Sequence, residues 1–309
     1  MKQVLGLVSK LAAQYQEGSD KMLGLIGNGF VGSAIYENLK SHYEFAIYDK
    51  KPTLANRNSI KEVIEETEVV FVALPTPMYN SGKCDLTFIF DAMKEIYDNY
   101  NNNIIILKST VVPGTCDEIK KRFPNMRIVF SPEFLTEANH IEDFRNCNRM
   151  IFGGLKEDTA ACVNLVQPIF EDKHYFTTDW KTAETVKYFI NIFLATKISF
   201  ANEMKQICDL VGVEYDNIAR LALCDQRIGR THLQVPGNDG HYGFGGKCFP
   251  KDLNAMIHLC LTAGFEPVIL KSVWNKNLDI REEHDWMNIE GAVSCAKREG
   301  RFGAPYRGS

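Results

Sequence analysis

The 309-residue chain has no apolar run approaching the ~18–20 residues of a membrane span. It has no C-x-x-C pair, and its nine cysteines stand singly from Cys84 to Cys295. That spacing suggests neither a zinc site nor a disulfide framework, and it fits a reducing cytoplasm. Positive charge is not in excess: 35 Lys and Arg stand against 39 Asp and Glu, a net −4. A weakly acidic chain is a poor nucleic-acid binder. Internal repeats and low-complexity tracts are missing as well. What remains is a globular composition, 45% hydrophobic and 24% charged, long enough for two domains. The expectation is a cytoplasmic protein with no metal and no membrane or nucleic-acid partner.

Residues 1–21 read as an N-terminal helical extension. Val4, Leu5, Val8, Leu11, Ala12 and Tyr15 recur at helical spacing, but the stretch is too broken for a secretory h-region. Met22 opens the first convincing strand and could be the original initiator. From there to Thr178 strands and helices alternate. Strands are predicted at 22–26, 45–48, 69–73, 104–107, 127–130, 150–152 and 174–176, and helices at 31–40, 86–99 and 156–170. Runs such as Val69–Ala73 and Ile104–Leu107 are continuously apolar, as in a sheet covered on both faces. The fold class is therefore α/β, with a Rossmann-like doubly wound parallel sheet over residues 22–178.

The pattern changes at Asp179, a good N-cap. Helices are predicted at 180–210, 215–223, 251–263 and 267–281, forming a smaller all-helical domain over 179–285. Apolar positions wrap most of the first of these, which should be buried, in part by another subunit. Residues 286–309 lose periodicity and read as a C-terminal tail.

Gly27-Asn28-Gly29-Phe30-Val31-Gly32 follows a strand and opens a helix. In that context the first glycine permits a tight turn, the second a close approach of pyrophosphate, and the third close helix–strand packing. Free N–H groups and the helix dipole hold the anion. Asp49 ends the second strand, where a carboxylate can accept hydrogen bonds from ribose hydroxyls and repel a 2′-phosphate. This favours NAD over NADP, although Lys50 and Lys51 stand beside it.

Gly243-Phe244-Gly245-Gly246-Lys247-Cys248-Phe249-Pro250-Lys251-Asp252 carries the most chemistry. Pro250 suits the first position of the following helix. Cys248 then lies at a helix N-terminus, where the dipole favours thiolate. Lys247 and Lys251 add positive potential, and Asp252 lies one helical turn away. Nucleophile, cations and acid together suit covalent catalysis. The other eight cysteines read as small buried hydrophobes.

Ser131-Pro132-Glu133-Phe134-Leu135-Thr136-Glu137 follows one strand, and Ser109-Thr110 another, at the edge where such sheets bind ligands. Glu133 and Glu137 would share a face if helical, and one could be a general base; a capped helix start is the alternative. Lys187 and Asn191 lie one turn apart on the long helix. They could stabilise an oxyanion, or be a snorkelling lysine and an exposed amide. Arg227 could clamp a phosphate, or be a surface cation. His232 and His241 read as loop residues.

Together, G-N-G-F-V-G, L-P-T-P at 74–77, S-T-V-V-P-G-T at 109–115, S-P-E-F-L-T-E, the Lys187/Asn191 helix, R-I-G at 227–229 and G-F-G-G-K-C-F-P-K-D resemble the UDP-glucose/GDP-mannose dehydrogenase family, over Met22 to Trp286. The resemblance implies an NAD-dependent, four-electron oxidation of the C6 alcohol of a sugar nucleotide, first of all a UDP-sugar, through a thiohemiacetal and thioester on Cys248. It implies Glu133 as acid/base through a water, with Thr110 and Asp252 assisting, and Lys187 with Asn191 as oxyanion stabilisers. Cofactor contacts would come from residues 27–32, Asp49, Thr76, Pro77, Ser109, Thr110, Glu137 and Lys251. Substrate contacts would come from Glu133, Phe134, Leu135, Glu137, Lys187, Asn191, Tyr242, Phe244 and Gly245. Arg227 resembles a residue that reaches a neighbouring subunit's substrate, which implies a homodimer around the long helix. Family members usually carry a third, C-terminal α/β domain that grips the nucleotide base. A short form, a fragment and a separate chain supplying that half all stay open, as does the choice among UDP-glucose, UDP-N-acetylated hexosamines and GDP-mannose. The rival readings are a two-electron hydroxyacid dehydrogenase and a nucleotide-binding remnant without turnover.

Overall fold

A computed structural model describes residues 22–294. The expected N-terminal helix and the end of the expected tail lie outside the described residues. Among the described residues seven strands form one sheet: β1 Met22–Ile26, β2 Glu44–Tyr48, β3 Val69–Val72, β4 Ile104–Leu107, β5 Arg127–Phe130, β6 Arg149–Gly154 and β7 His174–Thr178. Their order is β2-β1-β3-β4-β5-β6-β7. Neighbouring side chains go to opposite faces. Val69 and Phe71, Ile104 and Ile106 pack into one core, while Val70 and Val72, Ile105 and Leu107 pack into the other. Both faces are covered, which is why these strands carry no polar alternation.

Register places the ligand-binding edge. Ile26 stands opposite Tyr48 and Val72, Val72 opposite Leu107, and Leu107 opposite Phe130. The five parallel strands therefore end in one row, and Gly27, Asp49, Ala73, Lys108 and Ser131 leave from the same edge. The sheet differs from the expected all-parallel one at β6, which runs antiparallel to β5 and parallel to β7. The connection over residues 131–148 holds only a seven-residue helix and turns back at the edge where β5 ends. A parallel strand would have needed a full crossover.

Among the described residues the α-helices are, in chain order, α1 Phe30–Leu39, α2 Ile60–Glu66, α3 Thr87–Asp98, α4 Thr115–Arg122, α5 His140–Asn146, α6 Lys156–Val166, α7 Trp180–Val211, α8 Tyr215–Ala222, α9 Phe249–Thr262 and α10 Val268–Ile280. No helix is expected from periodicity at α2, α4 and α5, each seven or eight residues long. So short a helix shows no more than two periods of hydrophobicity.

The chain forms two compact units. One comprises the described residues up to Pro75 and Leu86–Lys187; the other comprises Thr76–Asp85 and the chain from Tyr188 onward. The second unit has its own core around Phe244, Leu253, Ile257, Val273, Trp274 and Trp286. Residues 286–294, expected as tail, are anchored there: the Met78 N–H donates to the Ala292 carbonyl at 2.9 Å, and the Ser294 N–H to the Met78 carbonyl at 2.8 Å. Helix α7 is not buried all round, for Phe189, Phe193 and Phe200 are 69%, 56% and 62% exposed.

Candidate active site

In the first unit the glycine turn joins β1 to α1. The Gly27 N–H donates to the Tyr48 carbonyl at 2.8 Å, tying the turn to β2. Gly27 has φ +90°, and a Cβ there would meet the Ala73 carbonyl oxygen at 2.5 Å. A Cβ at Gly32 would collide with the Gly27 carbonyl, so helix and turn pack in contact. A Cβ at Gly29 meets nothing within 4 Å. Gly29 is the N-cap of α1, and no side chain caps the helix. The helix start thus keeps an open approach to its first N–H groups, where an anion is stabilised. Asn28 turns its amide NH2 to the Leu54 carbonyl, and Phe30 sets its ring 4.9 Å from that of His140. Val31 packs against the sheet.

Asp49 is held by backbone. Its Oδ2 accepts from the Asn28 N–H at 2.7 Å and its Oδ1 from the Lys51 N–H at 2.8 Å. The carboxylate is thereby fixed beside the turn. Lys50 lies over the Phe88 ring, 4.8 Å from its centre. The open helix start, the close-packed glycines and the fixed acid fit the pyrophosphate and ribose of a dinucleotide.

Further along the same edge, the Ser109 hydroxyl accepts from the Leu74 N–H at 2.8 Å, and Thr110 is half-buried. Glu133 is buried. Its Oε1 lies 2.8 Å from the Lys187 Nζ, and its Oε2 accepts from the Leu135 N–H at 2.8 Å. Lys187 Nζ also donates to the Glu133 carbonyl at 2.7 Å and lies 5.7 Å from the centre of the Phe134 ring. A buried carboxylate and ammonium are thus locked together by hydrogen bonds on both partners. Glu137 is exposed. The notion that Glu133 and Glu137 share a helical face is not met, because residues 131–136 are irregular and α5 starts only at His140. Pro132 and the Leu135 N–H bond to Glu133 hold this stretch out of a helix.

Lys108 is a buried cation that the sequence reading passed over. Its Nζ donates to the Ser131 Oγ at 3.1 Å and the Pro132 carbonyl at 3.4 Å. Burial pushes its pKa down to about 8, against the opposing pull of Glu133. The available signal is a lysine ending the wholly apolar run Ile104–Leu107.

The second unit holds the cysteine. Cys248 is the N-cap of α9, with Pro250 in the first turn, and its carbonyl accepts from the Asp252 N–H at 2.9 Å. Asp252 is 1% exposed. Its Oδ2 accepts from the Asn191 Nδ2 at 2.6 Å, and its Oδ1 pairs with the Lys251 Nζ. Burial alone would lower the Lys251 pKa, but Asp252 and the nearby thiols raise it above the ordinary lysine value. Cys248, Asp252, Lys251 and Asn191 therefore form one connected cluster.

Other expected contacts lie apart from it in character. Arg227 is an exposed side chain bidentate on Asp225, with Nε–Oδ1 at 2.9 Å. Tyr242 is half exposed, whereas Phe244 is 2% exposed and lies in the core, edge-on to the Phe249 ring and tilted against that of Trp274. A Cβ at Gly245 would run into Arg281 and Asp285. Thr76 is buried beside Cys84, and the Pro77 carbonyl accepts from the Asp85 N–H at 2.7 Å. Burial pushes the Cys84 thiol up to about 11. Among the described residues no cluster of His, Cys, Asp and Glu could hold a metal, and no helix is long and apolar enough to cross a membrane.

Comparison with known proteins accounts for both units. Residues 32–173 match the NAD binding domain of the UDP-glucose/GDP-mannose dehydrogenase family, and residues 181–279 match its central domain. The UDP-glucose 6-dehydrogenase of Rickettsia conorii is 33% identical over 225 residues, covering 71% of this chain and 51% of that protein. UDP-glucose 6-dehydrogenase TuaD of Bacillus subtilis is 33% identical over 252 residues, covering 79% and 53%. A solved UDP-glucose dehydrogenase from Pyrobaculum islandicum superposes with a TM-score of 0.77 at 26% identity, over 85% of this chain and 69% of that one. The chain spans about half the length of these curated relatives. With one family's two domains matched in order along its length, the chain belongs to the UDP-glucose/GDP-mannose dehydrogenase family.

Proposed function

We propose that the chain oxidises the C6 alcohol of a sugar nucleotide to the carboxylate, with UDP-glucose as the first substrate to test. The observation that carries this reading is the Cys248 helix start joined to Asp252, Lys251 and Asn191, in a chain of this family. NAD, held by residues 27–32 and Asp49, would accept hydride.

The roles of the chain's own residues follow from their chemistry. Glu133 takes the alcohol proton through a water as the first oxidation yields the aldehyde. The Cys248 sulfur adds to the aldehyde carbon, forming a C–S bond and placing negative charge on oxygen. Lys187, with the Asn191 amide one turn further along α7, stabilises that charge. A second oxidation at the same carbon leaves a thioester on Cys248. Water adds to it, the C–S bond breaks, and the thiolate and carboxylic acid separate, with Asp252 and Thr110 orienting water and protons. Cys248 must stay reduced, which favours the cytoplasm. Among the described residues no cysteine is joined in a disulfide.

Partner and substrate contacts extend the proposal. Arg227, with its guanidinium exposed, suits a site on a second copy of the chain. The exposed phenylalanines of α7 support a homodimer. The test is NADH absorbance with purified chain, NAD and, separately, UDP-glucose, a UDP-N-acetylhexosamine and GDP-mannose. Turnover of UDP-glucose is expected. Tight NAD binding without oxidation of any of them would replace this reading by a binding protein.

A further inference from the structure

The segment Gly243–Gly246 that delivers Cys248 has no regular structure, yet side chains from one stretch of chain hold it at several points. Asn277, fully buried, accepts from the Phe244 N–H at 2.7 Å and donates to the Phe244 carbonyl at 3.0 Å. Asp285 Oδ2 accepts from the Gly246 N–H at 2.9 Å. Between them stands Arg281, whose side chain is 2% exposed. Its Nη2 lies 2.9 Å from Asp239 and 3.2 Å from Asp285, its Nη1 donates to the Tyr242 carbonyl at 3.4 Å, and its Nε to the Glu283 carbonyl at 3.0 Å. Gly245 passes so close that a Cβ there would strike both Arg281 and Asp285.

We infer that Asp285, oriented by Arg281 and seconded by Asn277, is a positioning residue that sets the reactivity of Cys248 by pinning the backbone two residues before it. The inference rests on the proposed covalent role of Cys248. A buried guanidinium that donates to two carbonyls and stands within ion-pair distance of two carboxylates is a rigid anchor. Asp285 passes that rigidity to the Gly246 N–H, two residues before the Cys248 N-cap of α9. With the pin removed, the helix start frays and Cys248, the N-cap of α9, loses its fixed place at the positive end of the helix. A bare charge effect predicts something else. Removing the Asp285 carboxylate would then ease thiolate formation, equally with Ala or Asn.

The experiment compares Asp285→Ala with Asp285→Asn, because an Asn oxygen still accepts from Gly246 without the charge. Alkylation of Cys248 by iodoacetamide is followed against pH by peptide mass spectrometry, which needs no turnover. Expected for Asp285→Ala is a midpoint displaced to higher pH and, with UDP-glucose, a kcat lowered about tenfold or more at unchanged KM for NAD. Asp285→Asn should recover most of both. Identical shifts in the two variants, or a lower Tm with the alkylation profile unmoved, would overturn the inference. A shifted profile in a chain that turns over no sugar nucleotide would keep the pin and remove the catalytic reading.

Discussion

Lys108 is held by two oxygens at the end of β4, in a place where its charge is costly. Unfolded, a lysine keeps its proton to about 10.5; in the native chain this one keeps it only to about 8. Between those values the unfolded chain binds more protons, so stability from this group rises with pH across the window. The difference amounts to about 3 kcal/mol at most. Denaturation of wild type and Lys108→Met between pH 7.5 and 10 should show the wild type gaining on the variant as pH rises. Parallel curves would contradict it. The glycine turn separates folding from binding in the same way. Gly29→Ala should leave Tm nearly unchanged and weaken NAD binding, because its Cβ points into open space. Gly32→Ala should cost about 1–3 kcal/mol of stability, because its Cβ strikes a carbonyl. Calorimetry and NAD titration on both variants check this. The glycine turn between β1 and α1 and the helix start at Cys248 were legible as structure because each is written in a short, contiguous stretch of sequence. Lys108 was marked only by its place at the end of an apolar run, and the Asn277–Arg281–Asp285 anchor by nothing, because contacts across tens of residues leave no local pattern.

At the scale of elements, long helices and apolar strands were readable and short helices were not. Helix α2 did carry a signal in Ser59 and Glu62: the Glu62 N–H donates to the N-cap Ser59 Oγ at 3.2 Å, and Glu62 Oε2 accepts from the N–H of Asn58, just before the cap, at 3.0 Å. Helix α4 carried none, because its cap comes from elsewhere in the chain. Glu184 of α7, fully buried, accepts from the Gly114 N–H at 2.6 Å and the Cys116 N–H at 2.8 Å. Burial raises its pKa, while those two donors favour the ionised form. Glu184→Ala leaves two buried N–H groups without partners and should destabilise the first unit by about 1–3 kcal/mol. Urea unfolding measures it; a loss below ~0.5 kcal/mol would mean that the cap is dispensable.

For the whole molecule, the periodicity of α7 suggested a helix apolar on most sides, and the structure leaves part of that surface open. Phe189, Phe193, Phe200, Ile207 and Val211 follow one another at helical spacing, and the first two rings stack at 6.4 Å. A second copy of the chain is the proposed cover, so Phe193→Asp with Phe200→Asp should turn a dimer into a monomer in light scattering. Equal masses before and after would remove α7 as the interface. No composition could have announced β6, whose reversed direction depends on how the connection from β5 turns back at the sheet edge. Nor does sequence spacing alone decide between one oxidation and two, since both use the same nucleotide fold. The number of NADH molecules formed per UDP-glucose consumed does decide. The proposed route through Cys248 predicts two for the wild type and loss of uronate with Cys248→Ala. A ratio of one, unaltered by that substitution, would contradict it.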